Sequence, residues 1–155
     1  MNKNERTKEG ILIDILGETY TVKALKAKDN PTLFKEKEGY CDSFLKEIVV
    51  ENFPDEEIPQ RRTQKIDENN ECALNEVLRH ELTHAFLKEC GLGNSSGFQD
   101  ETFIEWIASQ APKLVKLFCR AKAFTDKEMN SFVTEYNTPN RILSDVVKKV
   151  KEERI

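Results

Sequence analysis

Histidine is nearly absent from this sequence. The 155 residues include two, His80 and His84, four positions apart in the segment HELTH. Cysteine is sparse and scattered: Cys41, Cys72, Cys90 and Cys119 form no C-x-x-C pair. No apolar run approaches the roughly 18 residues that a membrane helix needs, and the polar opening MNKNERTKEG leads into no signal-type apolar segment. The expectation is a cytoplasmic protein with four reduced thiols. There is no excess of positive charge either: 24 basic against 28 acidic residues leave a net charge of -4. That lacks the electrostatic footprint of a nucleic-acid binder. The length fits one domain, 1–155, with residues 1–10 as a polar tail.

The hydrophobic pattern divides the chain into strands followed by helices. ILIDILGETYTVKAL (11–25) alternates with period two at Tyr20, Val22 and Ala24. Gly17-Glu18 suits a two-residue type II′ turn between two strands. Residues 40–53 predict one or two further strands, with KEIVVE the clearest, and 54–70 a charged surface loop. From Glu71 the period becomes helical, at Leu74, Val77, Leu78, Leu82, Ala85 and Phe86. Asn69 or Asn70 would cap this helix and Gly91 would end it. A second helix is expected from near Asp100, kinked or divided at Pro112. Thr125-x-x-Glu128 reads as the capping box of a third helix, and a last helix is expected after Pro139. Strands first and helices afterwards argue for α+β, with a small, mainly antiparallel sheet packed on a helical layer.

HELTH matches H-E-x-x-H. On a helix the two imidazoles stand on one face, one turn apart, and can reach one Zn²⁺. Glu81 is turned by about 100 degrees from His80. It can serve a metal-bound water as general base without ligating the metal. Such a motif also occurs by chance on polar helix surfaces. Here it lies within an apolar helical stripe and uses the whole histidine supply of the chain.

A catalytic site needs a third protein ligand and an open position. Cys90 lies six residues beyond His84, but Leu87 stands where a chain-reversing glycine would be needed. Cys90 is therefore expected to continue the helix as a buried structural thiol. DETFIEWIA (100–108) offers a better candidate. Glu101 and Glu105 share a face one turn apart, while Phe103, Ile104, Ile107 and Ala108 form the packed side. Both glutamates have a plainer reading as solvated residues, with Glu101 favouring the helix N-terminus. Trp106 and Phe103 are expected in the core, and Phe98 near the cleft.

LRHELTHAFLKECGL followed by DETFIEWIA resembles the small zinc metallopeptidases of the ImmA/IrrE type and related short proteins of phages and mobile elements. The resemblance covers roughly residues 39–110. It implies a minimal zincin-like fold, with a short sheet, an active-site helix, a glutamate helix and C-terminal helices. It also implies Glu101 as the third zinc ligand, although Ile104 stands where that family has alanine. An exposed strand edge can bind a peptide by main-chain hydrogen bonds, which places Ile48, Val49 and Val50 on or near the substrate-facing strand. For the oxyanion, spacing does not choose among Tyr40, Tyr136 and Arg120.

The leading expectation is a cytosolic zinc endopeptidase with Glu81 as base and His80, His84 and Glu101 as ligands. Its partner would be one regulatory protein, such as a transcriptional repressor, rather than a membrane or nucleic acid. The alternative is a protein of the same fold that binds a partner without cleaving it. A SprT-like, nucleic-acid-linked protease fits less well, for want of a third histidine and a basic surface.

Overall fold

The computed structural model describes residues 10–26, 29–33, 37–51, 66–95, 97–98 and 100–137, and over 66–73 the backbone alone. The expected polar tail (except Gly10), residues 54–65 of the expected loop and the helix after Pro139 lie outside these residues. The chain is α+β. Strands β1 (Ile11–Ile15), β2 (Glu18–Leu25), β3 (Gly39–Asp42) and β4 (Glu47–Glu51) precede helices α1 (Ile66–Leu87), α2 (Glu101–Arg120) and α3 (Asp126–Asn137). The strands form one open sheet in the order β1-β2-β4-β3. Its outer pairs are antiparallel and its central pair, β2 with β4, is parallel, so the sheet is mixed, with two of its three pairings antiparallel as expected.

The hairpin turn falls one residue earlier than expected. Ile15 pairs with Glu18, leaving Leu16 (φ 54) and Gly17 (φ 91) as the central residues. Positive φ at both makes this a type I′ turn, which matches the strand twist. The Gly17 N–H donates to Asp14 Oδ1 at 3.2 Å.

One sheet face carries the core. Ile15, Tyr20, Val22, Ile48 and Val50 meet Leu74, Leu78 and Ala85 of α1, with Ala24, Val77 and Leu82 packed around them. The period-two and period-3.6 stripes therefore face each other as the pattern requires. Phe86 is an exception and is half exposed. Helix α1 starts at Ile66, upstream of Asn69 and Asn70, so neither is its cap. It ends in a π-helical turn, Lys88–Leu92, where Gly91 takes φ 85. Glu89 of that turn accepts from Tyr20 Oη at 2.5 Å and Lys46 Nζ at 2.6 Å. The bond from Lys46 is the main reason the Glu89 carboxyl titrates below the usual range. Burial and then the bond to Glu89 push the Tyr20 phenol far up. This cluster ties the end of α1 to the hairpin.

Helix α2 is capped by Asp100, whose Oδ1 accepts from the Phe103 N–H at 3.1 Å. Ile104 and Ala108 are buried and Phe103 and Ile107 half-buried, so the expected packed face is the observed one. Trp106 instead points outward, 57% exposed. Pro112 does not divide the helix, which runs through it. Having no N–H, Pro112 leaves the carbonyl of Ala108 without its helical donor. Arg79 Nε of α1 donates to that oxygen at 2.9 Å. A proline in α2 and an arginine beside His80 thus clamp the two helices together. Arg79→Ala should cost about 1–3 kcal/mol in urea denaturation, because it strands a buried acceptor. Adding Pro112→Ala restores a donor within the helix, so the double variant should lose less than the two single losses summed. Additive losses would show that the clamp does not exist.

Helix α3 opens on the expected capping box: the Thr125 N–H donates to Glu128 Oε2 at 2.8 Å, and the Glu128 N–H to Thr125 Oγ1 at 3.3 Å. No helix among the described residues is long and apolar enough to cross a membrane.

Candidate metal centre

The heptad-like stripe of α1 sets the site. Leu74, Leu78 and Ala85 are drawn into the core, which turns His80 and His84 toward α2. There the Asp100 cap starts the helix one residue before Glu101. Three ligand atoms converge. Glu101 Oε2 lies 3.1 Å from His80 Nε2 and 3.5 Å from His84 Nε2, and the two Nε2 atoms are 3.1 Å apart. Among the described residues this is the one group of at least three His, Cys, Asp or Glu side chains with ligand atoms so close together. A tetrahedral ion with bonds of about 2.0–2.1 Å has ligand–ligand edges of roughly 3.3–3.4 Å. The triangle therefore has the size of one face of such a coordination sphere.

The proton inventory points the same way. His80 Nδ1 is 3.0 Å from Glu105 Oε2. A carboxylate only accepts, so in the neutral ring Nδ1 carries the hydrogen and Nε2 presents a lone pair. Burial lowers the pKa of His84 and favours its neutral form. A proton on His84 Nε2 can satisfy only one of its two neighbours. With both rings neutral, the contact between His80 Nε2 and Glu101 sets lone pair against lone pair, which a shared cation would relieve.

Glu105 is the functional residue that sequence reasoning read as solvated. It hydrogen-bonds the His80 nitrogen that faces away from the converging ligand atoms, the place from which a carboxylate would orient a ligand imidazole. Its position one turn after Glu101 was the available signal. Glu105→Ala should weaken metal binding by about 10–100-fold, read by competition with a chromophoric chelator. Unchanged affinity would show that His80 needs no orienting partner.

Glu81 is 6% exposed and makes no hydrogen bond among the described residues. Its pKa is raised to about 7, first by burial and then by the nearby Glu101 charge, while His80 and Lys37 oppose the rise. Glu81 and the three candidate ligands line one cleft of about 650 Å³, together with residues 37–41 along β3. Glu101 is 72% exposed, so the centre opens toward that cleft.

Cys90 points away from the centre, its Sγ donating to the Leu87 carbonyl at 3.4 Å, but it is exposed rather than buried. Phe98 packs edge-on against Phe103 and does not line the cleft. Ile48, Val49 and Val50 do not form an edge. They belong to β4, which is paired on both sides, and each is at most 1% exposed. The edge beside the centre is β3, which has no strand on its outer side among the described residues. The Glu51 N–H bonds the Glu38 carbonyl at 2.7 Å. By antiparallel alternation the N–H and C=O of Gly39 and Cys41 then face outward. Burial is the main reason the Cys41 thiol is pushed up to about 12. Of the oxyanion candidates only Tyr40 lines the cleft. Its hydroxyl donates to Glu47 Oε1 at 3.3 Å and accepts from Asn30 Nδ2 at 3.2 Å.

Fold and site together define an α+β protein with a candidate His-His-Glu metal centre on two packed helices. No family model, curated protein or solved structure matches the chain, so that description rests on the geometry alone.

Proposed function

We propose that the protein is a zinc-dependent peptidase. The observation that carries the reading is the set of three converging ligands with a fourth group of different character, the buried Glu81, beside them in one cleft. Nitrogen and oxygen donors in a compact tetrahedral arrangement suit Zn²⁺. When bound, the ion supplies Lewis acidity and acidifies water.

The residues of the chain account for the rest. Glu105 holds His80 in the ligating tautomer. Glu81, with its pKa near neutrality, can take a proton from water and pass it to a leaving amine. The outward N–H and C=O groups of Gly39 and Cys41 can pair with an extended peptide along β3, a role that passes to this strand from Ile48–Val50. The substrate is accordingly a protein segment in extended form, and the resemblance adds a regulatory protein of the cytoplasm as its source.

A partner-binding protein that cleaves nothing is the second reading. It draws on the exposed apolar residues of the far half of α2 and of α3, among them Leu117 and Phe132. Glu81 favours the peptidase, because a structural metal site has no use for a further, largely buried carboxylate beside its ligands, whose burial is costly.

Elemental analysis of purified protein tests the proposal. Wild type should carry about one zinc per chain, and Glu101→Ala much less. A wild type that takes up no metal after zinc is added back would end the peptidase reading.

A further inference from the structure

The cleft beside the metal centre is walled by one sign of charge. Glu38, Glu76, Glu101 and Glu105 line it, and Lys37 is its one lysine among the described residues. Even with a dication in place and Glu81 left out of account, those carboxylates outnumber the positive charges among the described lining residues. Glu76 stands one turn before His80 on α1, with about 5–6 Å between Cβ atoms at that spacing. It is exposed and makes no hydrogen bond or ion pair among the described residues. Nothing in the metal centre calls for it. Glu81 is a second, independent sign that the cleft receives a ligand: 6% exposed, without a hydrogen-bond partner among the described residues, and lining the same space.

We infer that this cleft selects a peptide with a cationic side chain, arginine or lysine, next to the bond at the metal, with Glu76 as its specificity-determining carboxylate. The inference rests on the peptidase reading above. A peptide held along β3 has its side chains on alternating sides, period two, so one neighbour of the scissile bond is turned toward α1. A guanidinium or ammonium there meets Glu76 on a wall already negative. An acidic side chain in the same place meets like charge in a partly desolvated cleft, which costs more than the attraction alone contributes. Specificity thus comes as much from rejecting acidic segments as from holding basic ones.

The test uses the zinc-loaded full chain and short hydroxamates, whose hydroxamate group binds the metal. The residue attached on either side of it is arginine, leucine or glutamate. Calorimetry should give a dissociation constant for the arginine probe about tenfold or more below that for the glutamate probe. The gap should narrow at high salt and in Glu76→Gln, and reverse in Glu76→Lys. Equal affinities for all three probes would overturn the inference while leaving the metal centre standing. A preference unchanged in both Glu76 variants would remove Glu76 from the role. No binding of any hydroxamate would overturn the peptidase reading and this inference with it.

Discussion

Glu81→Gln is expected to keep its zinc and lose hydrolysis by about 10²–10⁴-fold, the usual contribution of a general base. His84→Ala is expected to lose the metal itself. The two outcomes separate because the two residues do different work. His84 Nε2 forms two sides of the ligand triangle, at 3.1 and 3.5 Å. Without it the remaining pair, His80 and Glu101, holds an ion at two points only. Glu81 lines the cleft but lies outside that group of three. Glutamine preserves its shape and removes its basicity. Zinc content by elemental analysis and cleavage of a fluorogenic peptide mixture read the two effects. A Glu81→Gln protein that cleaves at the wild-type rate would place the base elsewhere. A His84→Ala protein with full zinc would dissolve the proposed ligand set.

Gly39→Ala is the second substitution with a large expected effect, and it leaves every charged group in place. A Cβ at residue 39 would lie 2.7 Å from Val77 Cγ1 and 3.1 Å from both Cγ and Oε1 of Glu81. Val77 is β-branched and stiff in a helix, so it cannot swing aside. The edge strand must lift from α1, or Glu81 must move. Overpacking of this kind costs about 1–3 kcal/mol. It also shifts the strand edge or the base relative to the metal, so cleavage should fall while zinc is retained. Gly97→Ala is the control: its added Cβ meets nothing within 4 Å, and its stability should change by less than about 0.5 kcal/mol. If Gly39→Ala matches this control in both stability and cleavage, β3 does not rest on α1 as described.

The elements of the core were legible because their periods are local properties. Tyr20, Val22 and Ala24 alternate, and they face inward. The spacing of Leu74, Leu78 and Ala85 marked the buried side of α1, and HELTH within that stripe fixed where the imidazoles stand. Asp100 and the Thr125–Glu128 box are short-range hydrogen-bonding patterns, and both form as read. Two misreadings turned on contacts between segments distant in sequence. KEIVVE was recognised as a strand, but its apolarity suits a central strand as well as an edge. Only pairing with both β2 and β3 shows which it is. Pro112 forecasts a break when α2 is considered alone. Arg79, 33 positions earlier, supplies the missing donor to Ala108.

By itself, then, the sequence determined the α+β class, the helix bearing both histidines, and the candidacy of Glu101. Amphipathic period and capping chemistry act over one or two turns and leave their signature in adjacent letters. Tertiary structure decided which glutamate meets the imidazoles and which orients one of them. It also decided that β3 rather than β4 borders the cleft, and that Gly39 lets that strand lie against Glu81. These depend on how α1, α2 and the sheet pack in space. A difference of an ångström there separates a ligand from a solvated side chain, and no spacing along the chain encodes it.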